Sequence, residues 1–430
     1  MTRRCRVLVL AESCNPEWPS LPIVGYKYAR ALGRVADVTV VTHVRNRENI
    51  EKAGDLDDRV HYIDNEWIAA RMYKLALFLR GGNEVAWSTS QIMAYLPYIA
   101  FERQALAQFR PALKRGEFDL VHRITPMSPT LPSYVSGRTA QPFVIGPLNG
   151  NLDWPAAFSG EQKREREGLR RLRGLYRYLP FARSTYRHAA CILASFQHTI
   201  DDIPASAAER IVPFPEIGYD PEVFHAQGRQ GPFSGAGPKR FLFAGRLVPY
   251  KVPEAAVRAF AGSERMKDHI LHVLGDGPEE PRLRQIVAEA GAEGRVIFEG
   301  RKSQAEVAEF MRRCDAFVFP SIRELGAGVV IEAMASGMVC LVTDYGAPGD
   351  LVAGGRGVQI ALQPMDGLVR DYRAAMERCL DAPEAHAEMA QAARDYADRL
   401  YDWDAKAAYT AGLYDALLKG EDLSRFTDYR

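Results

Sequence analysis

The stretch "CDAFVFPSIRELGAGVVIEAMASGMVCLVTDYGAPGDLV" (residues 314–352) decides how this chain folds. A short apolar run, "AFVF", ends at Pro320 and enters a turn broken by Gly326 and Gly328. A helical segment follows from near Val329. "MVCLVTD" then repeats the pattern, running into "YGAPGDLV", a second Gly/Pro turn with a second helical start. Brief apolar runs closed by Gly, Pro or a polar residue mark strands buried on both faces. Strand, helix, strand and helix in this order belong to a parallel α/β sheet.

Further segments extend that sheet on both sides. "KRFLFAGR", "HILHVLGDG", "GRVIFEG" and "GVQIA" read as strands, and "VPEAAVRAFAGSE", "PRLRQIVAEAGA" and "QAEVAEFMRRC" as the helices between them. The first half carries a similar set. "RVLVLAE" (6–12), "DVTVVTH" (37–43), "FDLVHRI" (118–124) and "PFVIGPL" (142–148) read as strands, with "GYKYARALGR" as a helix between the first two. The chain therefore reads as two doubly wound α/β domains, 1–205 and 206–398. A Pro/Gly-rich linker is expected over 213–240, and the last segment, 399–430, is a helix expected to pack back on the first domain. Two such domains facing each other would create a cleft at the carboxyl ends of both sheets, where open α/β folds bind ligands.

The 430 residues suit two domains of roughly 200 residues each. With 55 basic and 54 acidic residues the formal charge is +1, which gives no reason to expect nucleic acid. The six cysteines are scattered without C-x-x-C pairs, as core thiols of a reducing compartment would be. The most apolar segment, "IMAYLPYIAF" (92–101), is too short to span a bilayer and carries Pro97. The apolar start ends at Glu12, so a first strand is expected there rather than a signal peptide. A cytoplasmic protein follows as the expectation, with peripheral contact at the inner membrane face left open.

Strand ends hold the residues that suggest chemistry. Arg246 and Lys251 follow "FLFAG" around a Pro-containing turn, where they suit a diphosphate or stand as two solvated charges. Gly275 and Gly277 end another strand, where they admit a ligand to the backbone or simply form a turn. Gly326, Ala327, Gly328 and Val329 lead into a helix whose N–H groups and dipole favour an anion. Glu324 and Glu332 lie on either side of that corner. Carboxylates accept hydrogen bonds, so hydroxyls are their natural partners. Geometry then suggests Glu332 on a ribose and Glu324 on a sugar, unless Glu332 only complements the helix dipole. Arg301 and Lys302 stand at another strand end, after "IFEG", and Asp344 and Asp350 are weaker candidates as polar liners.

Taken together, "AGRLVPYK" with Gly245, "LGDGP", the 314–352 stretch and "YDWDAKAAYTAGLYDAL" resemble the retaining, GT-B-fold glycosyltransferases of glycosyltransferase family 4. The pair Glu324 and Glu332 fits that family's E-x7-E. The resemblance covers 238–418 well and the first half more loosely. It implies transfer of a sugar with retention from a nucleotide-diphosphate sugar to a hydroxyl of a glycan or lipid-linked acceptor. Arg246 and Lys251 would steady the leaving diphosphate, Glu332 would hold ribose, and Glu324 the donor sugar. The sequence departs from the family at Val252, where glycine is common. It departs again at Glu324-Leu325-Gly326-Ala327-Gly328, where the glycines of E-G-F-G are shifted by one. The histidine that many relatives carry two residues after His122 is replaced by Ile124.

Gly25 lies where the family places a glycine-rich loop. The acceptor is expected on the first domain, near Gly25, His122, Asn149, Asn151 and Trp154. His122 also fits a packed structural role, and Trp154 a buried one. "EQKREREGLRRLRGLYRYLPFARSTYRH" (161–188) reads as a basic amphipathic helix, for an anionic membrane surface or as an ordinary solvated face. No cofactor or metal is expected. The D-x-D within "DLDD" (55–58) lies in a polar loop and reads as surface acids. Two other classes share the fold, a nucleotide-sugar epimerase and a non-catalytic partner subunit.

Overall fold

The computed structural model describes residues 4–56, 59–79, 87–150, 152–155, 158 and 176–429. The chain divides into two compact units. The first takes in the described residues of 1–151, 165–216 and 403–430, the second those of 152–164 and 217–402. The division thus falls at 216/217 instead of 205/206, and the chain returns to the first unit at 403.

The first unit is built on a parallel sheet of seven strands: β1 (Arg6–Ala11), β2 (Asp37–His43), β3 (Val60–Ile63), β4 (Leu120–Thr125), β5 (Phe143–Leu148), β6 (Ala189–Ala194) and β7 (Ile211–Val212). Their order is β3-β2-β1-β4-β5-β6-β7. Strands β1, β4 and β5 are buried almost throughout, because helices cover both faces of a parallel sheet. The apolar start of the chain is accordingly the interior strand β1, between β2 and β4. The C-terminal helix Trp403–Lys419 belongs to this unit. The Tyr28 and Thr410 hydroxyls meet at 2.7 Å, fixing it to the helix Leu21–Val35.

The second unit repeats the plan with β8 (Arg240–Ala244), β9 (Ile270–Leu274), β10 (Val296–Gly300), β11 (Ala316–Phe319), β12 (Val339–Asp344) and β13 (Val358–Ala361). Their order is β10-β9-β8-β11-β12-β13, again all parallel. In both sheets the order reverses beside the first strand, at β1/β4 and at β8/β11. These are the switch points where the connections leave toward opposite sides and open a crevice at the carboxyl edge. Each unit is therefore a doubly wound, Rossmann-like α/β fold.

The expected linker 213–240 is largely structured. From Ile217 onward it is part of the second unit, with Phe224 and Phe233 buried. The Arg229 guanidinium donates to the carbonyls of Met311 (2.6 Å), Ser336 (3.2 Å) and Cys314 (2.5 Å), and Phe233 N–H donates to Asp315 (2.8 Å). Its Pro and Gly content reflects an irregular path over the domain surface. All six cysteines are free and five are buried, where burial raises the thiols well above their ordinary value. Among the described residues no helix is long and apolar enough to cross a membrane. "IMAYLPYIAF" lies within the helix Trp87–Lys114.

Candidate active site

The switch point of the second unit gathers most of the predicted residues. Because its strands are parallel, everything that follows β8, β9, β10 and β11 emerges at one edge. β8 runs into Gly245 and Arg246, then a 3₁₀ turn, Pro249–Lys251, and then the helix Pro253–Ala261. β11 runs into Ser321 and Glu324, then the helix Gly328–Ala335.

The two exits are tied together. The Tyr250 carbonyl accepts from Ile322 N–H (3.0 Å) and from the Ser321 hydroxyl (3.2 Å). Lys251 Nζ pairs directly with the Glu324 carboxylate, each side chain being only 12–13% exposed. Glu324 also lies 2.8 Å from the Ser321 hydroxyl, and the Lys251 ammonium lies 4.7 Å from the centre of the Phe319 ring. Arg246 is exposed and donates from Nη2 to the Tyr250 hydroxyl at 2.5 Å. Lys251 and Glu324, expected on diphosphate and sugar, thus form a pair with each other. Tyr250 and Ser321 were missed, because nothing in their spacing shows that the loops meet.

The turn into the helix Gly328–Ala335 resolves the shifted glycines. Ala327 takes the left-handed conformation (φ 50°, ψ 43°) at the N-cap. Gly328 has a different reason to be glycine: a Cβ there would lie 2.9 Å from the Ile217 side chain. No side chain caps this helix, so the N–H groups of its first turn, at Gly328 and Val329, retain their capacity for an anion. Glu332 is half-buried one turn further along. On the other loop Val252 is also left-handed (φ 47°, ψ 44°), at the position where glycine was expected.

Gly275 and Gly277 serve the protein's own packing. Their φ values are +123° and +152°, and a Cβ would come within 2.0 Å of the Gly245 carbonyl oxygen and 2.4 Å of that of Leu247. The close approach they permit is between the β8 and β9 loops. Arg301 is exposed at the same edge, directly after β10. Asp344 accepts from Gln359 (3.1 Å), and burial raises the Asp350 carboxyl.

The acceptor-side candidates separate. His122 is fully buried in β4, with Nε2 2.7 Å from the Gly146 carbonyl and Nδ1 2.5 Å from the Tyr414 hydroxyl. Burial lowers its pKa to about 4. It is a structural histidine and offers no surface to an acceptor. Trp154 belongs to the second unit, buried in that unit's core with the Arg323 guanidinium 5.5 Å from its ring, and so does not line the first domain. Gly25 lies within the helix Leu21–Val35, and a Cβ there would approach the Ser13 carbonyl oxygen to 2.5 Å. Asn149 donates its amide to the Glu216 carboxylate. Burial raises the Glu216 carboxyl and pushes the Lys406 ammonium well below its ordinary value. While Asp55 pairs with Arg30 at 2.8 Å, Asn151, like Asp57 of the D-x-D, lies outside the described residues. So does most of 161–188; its described end forms the helix Ala182–His188. Among the described residues no three His, Cys, Asp or Glu side chains are grouped to hold a metal ion.

Every residue of the switch-point site falls inside one family segment. Residues 228–396 match the family model described as glycosyl transferases group 1. The chain is 32% identical over 192 residues to D-inositol 3-phosphate glycosyltransferase 2 of Catenulispora acidiphila, an alignment that covers 42% of this chain and 44% of that one. It therefore spans about half the length of the curated relatives it matches. Among solved structures, sucrose-phosphate synthase from Thermosynechococcus elongatus aligns over 97% of this chain and 100% of its own, with TM-score 0.62 and 16% identity. HepE of Anabaena, solved with UDP and glucose, aligns over 95% and 100%, with TM-score 0.57 and 18% identity.

Proposed function

We propose that the protein transfers a hexosyl group, with retention, from a nucleotide-diphosphate sugar to a hydroxyl of a glycan or lipid-linked acceptor. The observation that carries this reading is the Lys251–Glu324 pair at the β8/β11 switch point, beside Arg246 and the uncapped helix start at Gly328. When the bond between the anomeric carbon and the phosphate oxygen breaks, negative charge builds on the leaving diphosphate. Arg246, Lys251 and the N–H groups at Gly328 and Val329 would stabilise that charge, and donors already in place do so without reorganising. An ammonium has three donors, so Lys251 can keep Glu324 and still reach a phosphate oxygen. Glu324 would thereby aim Lys251 as well as meet a sugar hydroxyl, and Glu332 would hold the ribose.

The acceptor hydroxyl would enter on the face the diphosphate leaves, passing its proton to that phosphate, so no protein nucleophile is assigned. Side-chain cations supply the charge that a divalent ion would otherwise bring, and turnover should persist in chelator. The solved relative with UDP and glucose supports a nucleotide-sugar donor. The free cysteines fit a cytoplasmic setting. A thermal-shift panel of UDP-, GDP- and ADP-sugars tests the reading. One nucleotide series should raise the melting temperature, and Lys251→Ala should remove the shift. The reading fails if no nucleotide-sugar moves the wild-type protein.

A further inference from the structure

A second cationic concavity, of about 640 Å³, lies on the first unit away from the carboxyl edge of its sheet. Its lining includes Arg138, Arg177, Arg183 and His188 and no carboxylate among the described residues. His188 immediately precedes β6, which places it at the amino edge of the parallel sheet. This side is opposite to the strand ends that hold switch-point ligands in such sheets. A chain with 55 basic and 54 acidic residues has no surplus to spread at random, so three arginines in a hollow with no carboxylate among its described residues are a local concentration.

The pocket is partly organised in advance. Arg138 donates from Nη1 to the Tyr134 carbonyl (2.9 Å), and its guanidinium lies 4.3 Å from the Tyr134 ring centre and 4.8 Å from that of Phe181. Those rings meet edge to face at 5.3 Å, so the guanidinium rests in an aromatic corner. A planar fork held this way loses little further freedom on binding and still has N–H groups to donate. Arg177 leans on the Tyr176 hydroxyl (3.4 Å), and Arg183 is exposed with no ion-pair partner among the described residues. His188 is brought against the chain at Gly137, where φ is +75° and a Cβ would lie 2.7 Å from the imidazole.

We infer that this pocket, built on Arg138 and Arg183 at the amino edge of the first sheet, binds a phosphate group separate from the donor diphosphate. Guanidinium groups with no carboxylate among the described lining residues favour a multiply charged oxyanion. The phosphate is either that of a soluble ester or that of a lipid headgroup.

The full-length protein is titrated with glycerol 3-phosphate against chloride at matched ionic strength, by thermal shift. In parallel it is sedimented with phosphatidylcholine vesicles, with and without phosphatidylglycerol. Binding in either arm is expected, and which arm responds names the source. Arg183→Gln should weaken that binding about fivefold, and Arg177→Gln with Arg183→Gln roughly twentyfold, with the melting temperature of the free protein unchanged. Both variants avoid Arg138, whose aromatic contacts contribute to folding. The inference is overturned if neither arm binds beyond its control, or if both variants bind like wild type.

Discussion

Lys251 and Glu324 lie on loops that leave neighbouring strands of one sheet, and their side chains are ion-paired with little exposure to water. Removing one partner therefore strands a charge. Lys251→Ala should cost roughly 3 kcal/mol in urea unfolding, since an uncompensated carboxylate remains where water is scarce. Adding Glu324→Gln to that variant should restore a substantial part of the loss, because the stranded charge is gone while the shape is kept. Equal stability of the wild type and Lys251→Ala would show that the pair is not coupled.

Tyr250 holds Arg246 through its hydroxyl, while its carbonyl independently fastens the Ser321 loop. Tyr250→Phe separates the two roles, since only the hydroxyl is lost. The expected result is nucleoside-diphosphate affinity reduced roughly fivefold by calorimetry, through an Arg246 that must be ordered on binding. The melting temperature should hold. An unchanged affinity would mean that Tyr250 does not aim the guanidinium.

Two backbone positions predict opposite signs. Ala327 adopts a left-handed conformation that costs a residue with a Cβ about 1–2 kcal/mol, and glycine gives back part of that as chain entropy. Ala327→Gly should therefore stabilise by roughly 0.5–1 kcal/mol in chemical unfolding. Gly346 also has positive φ, +67°, and a Cβ there would lie 2.7 Å from the Glu324 carbonyl oxygen. Gly346→Ala should destabilise by more than about 1 kcal/mol and weaken donor binding by pushing on Glu324. Effects of the same sign would refute the assignment.

The strands β8 to β13 were legible because each is a short apolar run with a clear stop. Strands β3 and β6 were not. "VHYI" is only partly buried, and "AACILA" is rich in alanine, so neither carries a strong β signature. That Arg246, Lys251 and Glu324 come to one edge could be read in advance, because parallel strands place their exits there and sequence order alone conveys it. Trp154 was misplaced because the chain departs onto the other unit soon after β5, and a buried tryptophan looks the same in either core. The displaced glycine could be noticed but not interpreted. That Ala327 itself takes the left-handed conformation depends on the path of the turn, while the crowding of Gly328 depends on Ile217, more than a hundred residues earlier.

His122 sets a pH dependence that its burial makes specific. Its folded pKa of about 4 lies below the ordinary histidine value near 6.5, so between these values the unfolded chain binds more protons than the folded one. Stability therefore rises with pH across this window, and it is lost as pH falls below 6.5. The loss from this residue should reach about 2 kcal/mol by pH 5. Protonation would also place a second N–H against the Tyr414 hydroxyl, which now supplies the proton in that hydrogen bond, so the neutral ring is the form the pocket fits. Urea unfolding at pH 7 and pH 5 measures the difference. His122→Gln should be less stable at pH 7 but show a flatter slope between the two. If wild type and variant have the same slope, the acid sensitivity belongs to other groups and His122 is not held neutral by the fold.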